Sequence, residues 1–135
     1  MHIPQAIKYE AANETVKKVY DDIKATRQTD YINNIWLYLA NDPALLKRTW
    51  ESVKEVMAPG GALDPLTKEL VYLAVSISNN CEYCIASHSS AAASKGMTPE
   101  IFGELMSIVG MANETNRLVA GYRVPTDEIF APQNK

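Results

Sequence analysis

Cys81 and Cys84 are the two cysteines of the chain, with His88 four positions after the second and Glu69 twelve positions before the first. A pair so close in sequence cannot staple distant segments, so in a reducing compartment it points to redox chemistry or to metal. The thiolate is the reactive form, and a free thiol near pKa ~8.5 is mostly protonated at neutral pH. A neighbouring imidazole and a helix amino terminus both favour its deprotonation, and both are available to Cys84. A carboxylate behind the imidazole fixes its tautomer and stabilises the imidazolium, and Glu69 fits that place. Attack on a peroxide oxygen leaves a sulfenic acid on one cysteine. The second, one turn away, condenses with it to a disulfide, and an external dithiol resets the pair. Glu82 opposes thiolate formation by its charge, but is expected to point to solvent. The competing chemistry is zinc, since two thiolates, an imidazole and a carboxylate form a tetrahedral set. A pair placed on a helix rather than in a turn, with no second C-x-x-C, argues for the redox reading, in which no metal and no cofactor is expected.

These side chains need particular elements to bring them together. A helix is expected from about Cys81 to Lys95, stopped by Gly96. At ~100° per residue, Cys81, Cys84 and His88 share a stripe about 60° wide. Glu69 could not join them on a continuous helix, because twelve residues at ~1.5 Å rise span about 18 Å. Asn79-Asn80 breaks the pattern, since asparagine tolerates the left-handed conformation at a helix end and caps the next helix. If the chain doubles back there as an antiparallel helical hairpin, Glu69 lies ~15 Å below the turn on one arm and His88 ~12 Å below it on the other. The expected order from inside outward is Glu69, His88, Cys84, Cys81.

The rest of the sequence reads as helices around that pair. Ala11 to Arg27 places Val16, Val19, Tyr20 and Ile23 at helical spacing. A second helix carries Ile32, Ile35, Trp36 and Leu39 and ends near Pro43. Pro43 fits the first turn of a third, with Leu45, Leu46, Trp50, Val53 and Met57 as its stripe and Pro59-Gly60-Gly61 as its stop. Asp64-Pro65 starts a fourth, Leu66 to Ser78, apolar on most sides and hence the candidate central buried helix. Thr98-Pro99-Glu100 opens another with Ile101, Phe102, Leu105, Met106 and Val109, and Ala112 to Tyr122 is a further helical stretch, separate from it or its continuation. Beyond Val124-Pro125 an extended tail is expected. Trp36, Trp50, Tyr38 and Tyr72 read as core or subunit contacts, with Trp36 or Tyr38 as alternative entrance residues. Met97, Met106 and Met111 read as core packing, Ala91-Ala92-Ala93 as a site of close helix approach, and His2 as a terminal residue without a role.

At 135 residues, with 47% hydrophobic and 21% charged, the chain has the size and balance of one globular domain, 1–135, whose stability oligomerisation would help. A net charge of −3 without a basic run excludes a nucleic-acid footprint. The amino terminus lacks a secretory layout and no apolar run approaches the ~20 residues of a membrane span, so a cytoplasmic location is expected.

The arrangement of Glu69, eleven residues, Cys81, two residues, Cys84, three residues and His88 resembles the motif of AhpD-like alkylhydroperoxidases in the carboxymuconolactone decarboxylase superfamily. The flanking text, Cys81-Glu-Tyr-Cys84-Ile-Ala-Ser-His88-Ser followed by alanines and Gly96, is similar to that family's active-site helix, and the likeness runs from about residue 37 to 122. The resemblance implies an all-α fold, a trimer or hexamer of small subunits, a hydroperoxide substrate and a dithiol reductant, either a protein or a small thiol. It makes Glu69 and His88 the relay, Cys84 the attacking thiol and Cys81 the resolving one. Characterised AhpD-type enzymes have a histidine between the cysteines where this chain has Tyr83. A phenol of pKa ~10 donates a hydrogen bond but is a poor base near neutrality, so a shorter relay or weaker activity follows. Two other functions compete: a carboxymuconolactone decarboxylase-type enzyme, which would not need the intact cysteine pair, and a non-enzymatic redox sensor or assembly subunit, which needs the same reactive thiol.

Overall fold

A computed structural model describes residues 3–130 of the chain. The reading of His2 falls outside them. Every regular element among the described residues is helical: α1 (Glu14–Arg27), α2 (Asn34–Leu39), α3 (Pro43–Met57), α4 (Pro65–Ser78), α5 (Glu82–Ser94) and α6 (Pro99–Tyr122), with short 3-10 turns at Tyr9–Ala11 and Glu128–Phe130. The second of these turns stands in the tail read above as extended. The contacts group into two compact units, Met1–Pro59 and Gly60–Lys135.

The first unit is built on the amphipathic stripe of α1. Its start falls at Glu14 and not at Ala11, because Asn13 takes the capping position and its side chain accepts the Val16 N–H at 2.9 Å. Val16, Val19, Tyr20 and Ile23 are buried as their spacing predicts, and join Trp36 of α2 and Leu46 and Trp50 of α3 in one core. Burying each such side chain contributes about 1.5–3 kcal/mol. The two indoles meet edge to face at 5.3 Å, so Trp36 is a core residue and does not face an entrance. Tyr20, wholly buried, donates from its hydroxyl to the Ile7 carbonyl at 2.7 Å, tying the amino-terminal segment to α1. At α3, Asp42 caps and Pro43 occupies the first helical position, the geometry its sequence calls for.

In the second unit α5 and α6 both pack on α4. Asp64 caps α4 through the Thr67 N–H at 3.0 Å, and Thr98 caps α6 through the Ile101 N–H at 3.3 Å. The chain turns between α4 and α5 at Asn79-Asn80, where Asn80 adopts φ 57° and the Cys81 N–H donates to the Ser76 carbonyl. α6 runs unbroken through residues 112–122. Two expectations fail in this unit. α4 is not enclosed: Leu73 is buried with Glu69 and Ser76, while Val71 and Val75 are more than half exposed. Met106 and Met111 are likewise exposed rather than core. Both helices are apolar over a wider arc than the faces they bury against one another, and the surplus lies on the surface. Ala92 is fully buried, consistent with close approach of α5, although Ala93 beside it is exposed.

Candidate active site

The site is assembled from α4, the first two turns of α5 and the residue that caps its end. Cys81 is the N-cap of α5, with extended backbone (φ −91°, ψ 91°), and its sulfur accepts the Cys84 N–H at 3.3 Å. The expected helix is therefore one residue shorter at each end, and Cys81 caps it rather than lying within it. Its sulfur instead faces the open N–H groups of the first turn, where the helix dipole favours negative charge. Cys81 and Cys84 are joined as a disulfide with their Cα atoms 5.3 Å apart. Both are half-buried, and Tyr83 and Glu82 between them are exposed.

One turn further along α5, His88 meets α4. Its Nδ1 lies 2.7 Å from Glu69 Oε2. An ionised carboxylate can only accept, so Nδ1 carries the proton and donates, and Nε2 is left as the nitrogen with a free lone pair when the ring is neutral. The tautomer is thus set by α4. Glu69 is 5% exposed, the most enclosed charged side chain of the unit. Burial pushes its carboxyl towards the protonated form, but the hydrogen bonds and charges of His88 and Lys95 outweigh that and hold it below the ordinary carboxylate value.

Lys95, a helix end in the sequence, is a member of the site. Its ammonium donates to Glu69 Oε1 at 2.8 Å, so each carboxylate oxygen has its own hydrogen-bond donor. The local backbone explains the reach. Gly96, at φ 102°, takes the left-handed position after the helix, with the Gly96 N–H on the Ala93 carbonyl and the Met97 N–H on the Ala92 carbonyl, which fixes Lys95 as the C-cap. Seven residues after His88, it projects from nearly the same face of α5. Tyr72 is the second missed residue. Read as a core or subunit contact, it lies over the His88 ring with centroids 3.5 Å apart and planes inclined at 20°. The signals existed in the sequence: Tyr72 is three positions after Glu69 on α4, and a buried glutamate requires more than one donor.

The four side chains read as chemically competent therefore fall into two contacts, a Glu69–His88 pair and a Cys81–Cys84 disulfide, with Cys84 and His88 one turn apart on a single helix. Among the described residues no group of three or more His, Cys, Asp or Glu is placed to hold a metal ion, and no helix is long and apolar enough to cross a membrane.

Comparisons with known proteins place the chain in a family. Residues 43–127 match the model of the carboxymuconolactone decarboxylase family, a span that includes α3 to α6 and every side chain of the site. The chain is similar to the crystal structure of the alkylhydroperoxidase AhpD core from Rhodospirillum rubrum, with 52% identity, a TM-score of 0.91, and coverage of 98% of this chain and 99% of that one. No curated protein matches it. A family match over more than half of the chain, together with a structural likeness along nearly its whole length, assigns it: the chain belongs to the carboxymuconolactone decarboxylase family and is an AhpD-like member of it.

Proposed function

We propose that the protein is a thiol-dependent hydroperoxide reductase acting through Cys81 and Cys84, with Glu69 and His88 as its proton relay. The observation that carries this reading is the 2.7 Å contact of His88 Nδ1 with a buried Glu69, on the helix whose first turn holds the cysteine pair as a disulfide. His88 Nε2 takes the proton of the Cys84 thiol, and Glu69 stabilises the imidazolium that results. The Cys84 thiolate attacks one peroxide oxygen, and the O–O bond breaks. With one proton returned to the leaving oxygen, the products are an alcohol (water, from hydrogen peroxide) and a Cys84 sulfenic acid. The Cys81 thiol then displaces water to form the disulfide, and two electrons from a dithiol reductant restore both thiols. The likeness to a protein named as an alkylhydroperoxidase core supports the peroxide as substrate class.

The reading extends to a single domain spanning 1–135, to the cytoplasm as the reducing compartment such a cycle needs, and to a homo-oligomer. Val71 and Val75 on α4 and Ile108 and Met111 on α6 are each more than half exposed, and such clustered apolar side chains are the kind that another copy covers. Sedimentation of wild type as an oligomer, with Val71→Glu and Met111→Glu shifted towards monomer, is the expected result.

Stoichiometric cumene hydroperoxide added to reduced protein tests the function. Peroxide loss should coincide with a Cys81–Cys84 disulfide seen by mass spectrometry, and should be abolished by Cys84→Ser and slowed by His88→Ala. Peroxide loss unaffected by Cys84→Ser would end the mechanism. A disulfide that forms once but is never turned over by any dithiol would identify a redox sensor instead.

A further inference from the structure

Glu69 is nearly enclosed and holds two hydrogen-bonding partners, His88 on one oxygen and Lys95 on the other. A buried carboxylate needs a counter-charge, and two groups can supply it here, an imidazolium at His88 or the ammonium of Lys95. They are not equivalent. A lysine with an ordinary pKa of ~10.4 is charged throughout the neutral range, whereas an imidazole changes charge within it. We propose that Lys95 is a positioning residue of the relay: its ammonium on Glu69 Oε1 is the standing counter-ion of the buried carboxylate, which leaves His88 to enter the reaction as a neutral imidazole able to take the Cys84 proton. This rests on the reading above in which His88 is the base.

The geometry supports this division of labour. The Schellman turn at Gly96 fixes the Lys95 backbone, and a cation at the carboxyl end of α5 is favoured by the helix dipole. The lowered proton affinity of Glu69 despite its burial is consistent with a carboxylate whose charge is met continuously. The other groups near the pair do not replace Lys95. Tyr72 of α4 covers the face of the His88 ring and is stacked on it, not set against the carboxylate. Lys68, adjacent to Glu69 in sequence, brings its ammonium beside Gly61. Glu104 of α6 lies with Thr67, Leu70 and Val71 along the groove between α4 and α6. On α5 itself the remaining titratable groups are Cys84 and the exposed Glu82 and Tyr83, with Cys81 at its N-cap.

In the thiol-to-imidazole step one proton moves from Cys84 Sγ to His88 Nε2, and the Glu69–Lys95 pair is unchanged before and after. Without Lys95 the buried carboxylate lacks its standing counter-ion, and a proton taken up by His88 from solvent is favoured at the expense of the lone pair that the Cys84 proton requires.

The test is NMR titration of the His88 ring in reduced wild type, Lys95→Gln, Lys95→Met and Lys95→Arg, with the signal assigned against His88→Asn. Loss of the ammonium should move the midpoint of the ring titration up by roughly half to one pH unit, an effect moderated by the partial exposure of Lys95. The acid limb of the pH–rate profile for disulfide formation should move up with it. Arginine should restore both, and methionine, which keeps the apolar stem, should not. A midpoint in Lys95→Gln and Lys95→Met that stays at the wild-type value, or moves down, overturns the proposal. The titration needs no peroxide. A wild type that reduces no hydroperoxide would therefore fail the functional reading while leaving the role of Lys95 to be decided by the titration alone.

Discussion

Replacing Glu69 with glutamine changes one oxygen to an NH2 group at nearly constant volume and strikes the relay at its most enclosed member. Glu69 accepts from His88 on Oε2 and from Lys95 on Oε1, at 2.7 and 2.8 Å. Glutamine keeps one acceptor. Lys95 can only donate, so it claims the remaining oxygen, and the amide NH2 is turned towards His88 Nδ1. Nδ1 must then accept, which moves the ring proton to Nε2 and removes the lone pair that would take the Cys84 proton. A positioned general base contributes about 10²–10⁴ in rate, so disulfide formation should slow by that factor, equivalent to about 2.7–5.5 kcal/mol of barrier. The stability cost is smaller. Both hydrogen bonds lose the carboxylate charge, the Lys95 one keeping only its ammonium, but the His88 and Lys95 side chains, 19% and 36% exposed, can recover part of the loss to water. About 1–2 kcal/mol is expected. Stopped-flow peroxide oxidation of the reduced variant measures the rate, urea unfolding the stability, and nitrogen NMR the His88 tautomer. A variant that oxidises within threefold of wild type while its ring proton has moved to Nε2 would refute the reasoning, because the base would then be dispensable.

Three further outcomes follow from the same geometry. The Glu69 carboxyl, although burial pushes it up, is held below its ordinary value by His88 and Lys95, so the unfolded chain binds that proton more tightly than the folded one. The stability it contributes is complete above the unfolded value of ~4.3 and is lost as pH falls through the folded value, so the gap between wild type and Glu69→Gln in urea midpoint should narrow from about pH 6 to about pH 3; parallel curves would contradict this. Tyr72→Leu removes the ring stacked on His88 and should slow disulfide formation about three- to tenfold, as expected for loss of a ~0.5–1.5 kcal/mol aromatic contact, with little change in unfolding midpoint. Tyr20→Phe deletes the hydroxyl bound to the Ile7 carbonyl, in a site whose burial pushes the phenol up to about 12, and should cost about 1–2 kcal/mol in chemical denaturation without affecting peroxide chemistry.

Local chemistry in the sequence determined where the helices lie. Asp42-Pro43, Asp64-Pro65 and Thr98-Pro99 open α3, α4 and α6 at the positions their capping geometry dictates, and the stripe of Val16, Val19, Tyr20 and Ile23 is the buried face of α1. The spacing of Glu69, Cys81, Cys84 and His88, with a chain reversal at Asn79-Asn80, was enough to place Glu69 beside His88, because helical rise converts residue number directly into depth. What the sequence could not assign was the use of side chains whose alternatives have equal local propensity. An apolar residue on α4 or α6 has the same helical spacing whether it is buried, as Leu73 is, or exposed, as Val71 and Met111 are. Tyr72 and Lys95 are similarly ordinary helix and helix-end residues until α5 packs on α4. Only that packing puts an aromatic face on His88 and an ammonium on Glu69, since each contact joins residues far apart in sequence and is selected by the need of a buried charge for partners.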